Sequence, residues 1–244
     1  MTATNVLSIG DRAGLGRLTS TLMGRAPAKA SHPVCAIIGG AHVASRLDLL
    51  GKLVSRVDTL ALGGGVANTF LAARGVDLGA SLCDHDMIDR ARSIMDRARA
   101  CGCEILLPVD VVVATECRLG AEDRKISVNA IGPEDMVLDI GPASVALLMH
   151  CVELASTVIW NGPLGVFEIA PFDAGTNALA WHIARRTRDG ALLSAAGGGD
   201  TLAALASTGV EDRFSHVAAT GEVCLEWLAD QGLTGGAALH RVPA

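Results

Sequence analysis

Three groups of residues in this 244-residue chain have types and spacing suited to phosphate and sugar chemistry. Gly197-Gly198-Gly199-Asp200-Thr201 sets a flexible turn directly before a carboxylate and a hydroxyl. Glycines there let backbone N–H groups approach an anion with no Cβ in the way. A helix starting behind them favours phosphate at its N-terminus, and an Asp beside such a turn can hold a hard cation. Asn161-Gly162-Pro163 puts an amide at a second turn, followed by Val166 and Glu168; a carboxylate there can accept from sugar hydroxyls. Gly39-Gly40-Ala41-His42 and Gly63-Gly64-Gly65 are further turns, and the four-residue step from His42 to Arg46 puts two basic groups on one helical face. Plainer readings stand beside these. Asp200 also reads as a simple N-cap, Glu168 as a solvated loop carboxylate, and Asn161-Gly162-Pro163 as a turn with no ligand. His42 reads as an ordinary polar residue, Trp160 as core and Asp110 as structural.

The elements that must carry these turns repeat one grammar. After His32-Pro33, short apolar runs end at glycine or proline: Val34–Ile38 at Gly39, Asp58–Leu62 at Gly63, Glu104–Leu107 at Pro108, Val137–Ile140 at Gly141, Thr157–Trp160 at Asn161-Gly162 and Ala191–Ala196 at Gly197. Continuous apolar runs are strands buried on both faces. Helical periodicity lies between them over Asp84–Ala100, Ala143–Ala155, Ala174–Arg188 and Thr201–Ser207, with a weaker final helix over Gly221–Ala229. The alternation predicts a three-layer, doubly wound, Rossmann-like α/β domain with a parallel sheet. Every glycine turn is expected at the carboxyl edge of that sheet, where such folds bind ligands. Residues 114–136 are more polar and read as a short hairpin or loop insertion. Residues 1–33 read as a leader or linker with at most one short helix, and 34–244 as the single domain.

Half the residues are hydrophobic and only 19% are charged, enough apolar material for a large core. The net charge of −6, with no block of Lys or Arg, argues against nucleic acid or an anionic membrane surface as partner. No apolar run approaches the roughly 18 residues of a membrane span, and the N-terminus has no secretory pattern. Seven cysteines, an odd number set mostly in apolar segments, predict buried free thiols in a reducing cytoplasm.

Taken in order, IIGGAHVASR, LALGGGVANTFL, LLPVDVVVA, LDIGP, VIWNGPLGVFE, AAGGGDTLAAL and DRFSHVAATGEVCLEWL resemble the C-terminal, nucleotide-binding domain of phosphoglycerate kinase from about residue 34 to about residue 240. WNGPLGVFE and GGGDT are the most specific. The resemblance implies a site for ADP or ATP with Mg2+. It places Gly40, Ala41, Gly198 and Gly199 in the turns around the nucleotide, Gly63 and Gly64 at the adenine, and Leu138 against the base. Asn161 approaches the phosphates, Pro163 and Val166 flank base and ribose, and Glu168 accepts from the ribose. Asp200 holds the magnesium and Thr201 faces phosphate oxygens at a helix head.

The departures from the family fall at the chemistry. His42 and Arg46 stand where the family has two lysines, and Ser45 where it has Asp. Histidine is mostly neutral at pH 7, and Arg is a planar fork rather than a compact ammonium. Losing a phosphate-stabilising cation removes on the order of 10² to 10³ in rate. Ala218-Ala219-Thr220-Gly221-Glu222 replaces a Ser-Thr-Gly-Gly-Gly run, and Val137 replaces a glycine beside the adenine. The family's phosphoglycerate-binding half has no counterpart in this sequence. The expectation is therefore a nucleotide-binding relative that is inactive alone. It would work with a separately encoded domain or as a homo-oligomer through the face that half would cover. The alternative is a non-catalytic regulatory or scaffold module.

Overall fold

The computed structural model describes residues 32–218. The expected final helix, most of the proposed leader, and all but the first residue of the Ala218–Glu222 turn lie outside them. Nine strands are present among the described residues: β1 (Val34–Ile38), β2 (Thr59–Leu62), β3 (Glu104–Leu106), β4 (Asp110–Ala114), β5 (Arg124–Ser127), β6 (Met136–Ile140), β7 (Thr157–Asn161), β8 (Leu193–Gly197) and β9 (His216–Ala218). The helices are α1 (Val43–Leu53), α2 (Gly64–Ala73), α3 (Ile88–Cys101), α4 (Pro142–Leu154), α5 (Ala174–Arg188) and α6 (Gly199–Thr208).

Six strands form a parallel sheet in the order β3-β2-β1-β7-β8-β9. Each buried strand serves two cores. Val34, Ala36 and Ile38 join the core beneath α1, α2 and α3, while Cys35 and Ile37 join the core beneath α4, α5 and α6. This two-sided burial explains the continuous apolar run of β1. The strand order reverses between β1 and β7. The register there pairs Leu62, Ile38, Asn161, Gly197 and Ala218 in one row, so five strands end level along one edge.

The helices follow local rules. Proline opens α4 at its first turn. Gly102 closes α3 in the left-handed conformation, at φ 75°. In α3, Ala91, Ile94 and Ala98 form the buried stripe. By contrast α2 is buried nearly all round and has no amphipathic period, which hides it from a pattern reading.

One expectation is corrected. The run over 137–140 is not a strand of the parallel sheet: β6 pairs antiparallel with β4, which also pairs antiparallel with β5. The Val111-Val112-Val113 run is β-branched and buried on both faces, so it forms the centre of its own small sheet. The polar segment 114–136 supplies β5 as the hairpin partner. The Gly141 turn therefore ends no strand of the parallel sheet and does structural work. A Cβ at Gly141 would fall 2.7 Å from Asp110 Oδ1, and the Asp110 carboxylate accepts from the backbone N–H groups of Ala143 (3.0 Å) and Ser144 (2.7 Å) at the head of α4. Asp110 thus holds the head of α4 to β4. The cysteine expectation is corrected in part. Cys35 and Cys103 are buried, but Cys101 and Cys117 are exposed. None of the thiols of the described residues is in a disulfide.

Candidate functional site

The turns after β1 and β7 meet at the reversal point. The Gly39 N–H donates to the Asn161 carbonyl (2.9 Å) and the Gly40 N–H to the Pro163 carbonyl (2.9 Å). Gly40 (φ 88°) and Gly162 (φ 94°) both need the left-handed conformation. Next to them, the Gly64 N–H donates to the Leu164 carbonyl (3.0 Å), and a Cβ at Gly64 would lie 2.9 Å from the Gly40 nitrogen. Gly40, Gly63, Gly64 and Pro163 are thus contiguous, with Gly40 and Gly64 half-buried at the face and Gly63 and Pro163 buried behind them.

Beside it stands the start of α6. Gly198 takes the N-cap position at φ 101°, with no side-chain cap, and Asp200 lies in the first turn. The N-cap reading of Asp200 is therefore set aside; its carboxylate is exposed and engaged in no hydrogen bond or ion pair among the described residues. Thr201 is fully buried, and its hydroxyl oxygen accepts from the Gly162 N–H (2.7 Å), tying α6 to the turn after β7. Asn161 is 1% exposed and closes the gap. Its Oδ1 accepts from the Arg46 guanidinium of α1, while its Nδ2 has no hydrogen-bond partner among the described residues. The space that a Cβ would fill at Gly198 is bordered by both ends of the Asn161 amide, Nδ2 at 3.5 Å and Oδ1 at 3.6 Å, and by Thr201 Oγ1 (3.6 Å). An orphan donor, a hydroxyl and the first turn of a helix converge there.

A second patch joins Leu138 and Val166, because the Val166 N–H donates to the Leu138 carbonyl (2.8 Å). Leu138 itself is buried against Val112, Ala114 and Phe172, so it backs the patch instead of presenting an open face. Val137 packs against the first core. Glu168 is exposed beyond Val166, on the same loop. His42 takes the N-cap position of α1 without a side-chain cap and is exposed, whereas the half-buried Arg46 reaches Asn161; the two basic groups do not act together. Trp160 is core, its indole N–H donating to the Gly162 carbonyl (2.8 Å).

Two participants were missed from sequence. Leu82, 58% exposed, lies 3.0 Å from where a Cβ at Gly65 would stand, and with Ala41, Val43 and Cys83–Asp86 it lines an open cleft of about 410 Å³. Its signal was weak, one leucine in a loop. Asp139 is 1% exposed, accepting from the N–H groups of Gly175 (2.6 Å) and Ile140 (2.8 Å). Burial, then the Asp173 charge, pushes its carboxyl up to about 7 against those hydrogen bonds. Its signal was present: a charged residue inside the apolar run Val137-Leu138-Asp139-Ile140.

Among the described residues no group of three or more His, Cys, Asp or Glu is placed to hold a metal ion, and no helix is long and apolar enough to cross a membrane. A lone exposed Asp200 suits Mg2+, which usually takes one or two carboxylates and completes its shell with ligand phosphates and water.

The sequence profile described as phosphoglycerate kinase matches residues 18–231. The chain belongs to the phosphoglycerate kinase family. A phosphoglycerate kinase of Xanthobacter autotrophicus is 53% identical over 209 residues, covering 86% of this chain and 53% of that protein. One of Rhodospirillum centenum is 51% identical over 217 residues, covering 89% and 55%. The solved phosphoglycerate kinase of Coxiella burnetii superposes with a TM-score of 0.80 at 36% identity, over 90% of this chain and 54% of that one. The chain spans about half the length of the curated family members it matches.

Proposed function

We propose that this domain binds ADP or ATP with Mg2+ along the strand-end edge and supplies the nucleotide side of a phosphoryl transfer. The observation that carries the reading is the unpaired Asn161 Nδ2, buried beside Gly198 at the start of α6. A buried donor without a partner costs about 1–3 kcal/mol, and an anionic oxygen at a helix N-terminus relieves it. In this reading the phosphates lie over Gly198, Gly199 and Thr201, with Asp200 holding the magnesium. The metal, when bound, screens phosphate charge. The purine lies over Gly40, Ala41 and Gly64, backed by the buried Gly63 and Pro163, with Val166 beside it, and Glu168 accepts from the ribose. Leu82 extends the apolar wall.

Transfer itself is mainly positioning and charge neutralisation. We propose that the described residues do not complete it alone, because Arg46 is engaged with Asn161 and His42 stands out at the surface. The phosphoglycerate side would come from a separate domain or a second copy. A non-catalytic nucleotide-binding module is the second reading, favoured by the same split of His42 from Arg46. Titration of the full chain with Mg-ADP tests binding. A coupled assay with ATP and 3-phosphoglycerate then separates the two readings, because turnover, alone or with a complementing domain, excludes the module.

A further inference from the structure

The Arg46–Asn161 pair has a directional consequence. Arg carries donors and no acceptor, whereas an Asn amide has a donor end and an acceptor end. With the guanidinium of Arg46 on Oδ1, the amide is held one way round, and its NH2 end is the one left without a partner beside Gly198 and Thr201. Both ends of the amide lie near Gly198, so the flipped amide would set NH2 against the guanidinium and leave the carbonyl oxygen as the unpaired end, a poor arrangement for an anion. Arg46 sits on α1 and Asn161 on β7, so the pairing links two elements across the reversal point.

We propose that Arg46 is a positioning residue, occupying the oxygen of the Asn161 amide so that its NH2 is the unpaired end beside the start of α6, and so fixing that cradle for a phosphate oxygen. Arg46 acts through Asn161 and is not itself the ligand of that oxygen. The phosphate in this statement rests on the nucleotide reading above; the amide orientation does not.

The test has two arms on the full chain. In the first, without ligand, the side-chain amide resonances of Asn161 are assigned by their loss in Asn161→Asp. They are then followed in Arg46→Met, which keeps a long stem but no donor, and in Arg46→Lys, which keeps a charged donor. The expected result is a displaced, faster-exchanging amide pair in Arg46→Met and a pair close to the parent's in Arg46→Lys. An amide pair unmoved in Arg46→Met overturns the proposal. The second arm is a double-mutant cycle on binding of Mg-ADP, with inorganic pyrophosphate as a second probe. Arg46→Met and Asn161→Ala are each expected to weaken binding about tenfold, and the double variant no more than the weaker single one. Losses that multiply to about a hundredfold overturn the proposal by making Arg46 an independent phosphate ligand. If the parent chain binds neither probe, the nucleotide reading fails while the amide signal still decides the role of Arg46.

Discussion

The carboxylate of Asp139 accepts a 2.6 Å hydrogen bond from the backbone nitrogen of Gly175, joining β6 to the first turn of α5. Gly165 passes close by: a Cβ there would fall 2.6 Å from the Leu138 carbonyl oxygen. Asp139 thus sits under the loop that presents Val166 and Glu168. Burial raises its folded pKa to about 7, from 3.8. A raised carboxyl binds more protons in the folded state, so its contribution to stability is full below its unfolded pKa and is lost as pH rises through its folded one. Between pH of about 4 and about 7 this group should make stability fall with rising pH. Asp139→Asn cannot ionise. Urea unfolding across that window should show a downward contribution in the parent that is missing from the variant, and parallel curves would contradict the assignment.

Gly39 admits no side chain. Its Cβ would stand 2.8 Å from the Gly162 carbonyl oxygen and 2.9 Å from the Pro163 carbonyl carbon. Both neighbours are backbone, so the turns after β1 and β7 would have to part. Gly39→Ala is expected to destabilise by about 2 kcal/mol or more and to weaken nucleotide binding. Thermal unfolding together with titration checks both effects.

Thr201 is a structural tie as well as a proposed phosphate neighbour. Thr201→Val keeps the shape and removes the acceptor of the Gly162 N–H. Stranding that buried donor should cost about 1–3 kcal/mol, measured by denaturant unfolding without ligand. Thr201→Ser retains the acceptor and should sit closer to the parent.

Asp200 should affect metal dependence and little else. Its carboxylate is exposed and caps nothing, so Asp200→Asn is expected to leave stability within about 0.5 kcal/mol. The same substitution should remove most of the gain in ADP affinity that Mg2+ confers on the parent. Equal magnesium enhancement in both proteins would displace the cation to other groups.

The parallel sheet was legible because both faces of β1, β2 and β7 are covered, which writes the strands as unbroken apolar runs ended by glycines. The glycine turns, Asn161 and Asp200 could be picked out for the same reason: a turn at a strand end is a local signal. Of the small antiparallel sheet only the hairpin of β4 and β5 left a trace, in the polar segment 114–136, since pairing of β4 with β6 is a long-range choice that a short apolar run does not encode. Helix α2, buried all round, carries no period to detect. The separation of His42 from Arg46 was hidden too. A four-residue step fixes a shared helical face only inside the helix, and His42 lies at its boundary, where the backbone leaves helical angles. Asp139 had a visible signal in its apolar neighbours, but its partner Gly175 is 36 residues away.

The central claim is that the edge built from Asn161, Gly198, Asp200 and Thr201 receives nucleotide phosphates. Isothermal titration of the full chain with Mg-ADP, repeated on Asn161→Ala, tests it most directly. The account predicts saturable binding of one nucleotide per chain, weakened about tenfold in the variant. No heat and no thermal shift at about millimolar nucleotide, or equal affinity in the two proteins, would contradict it.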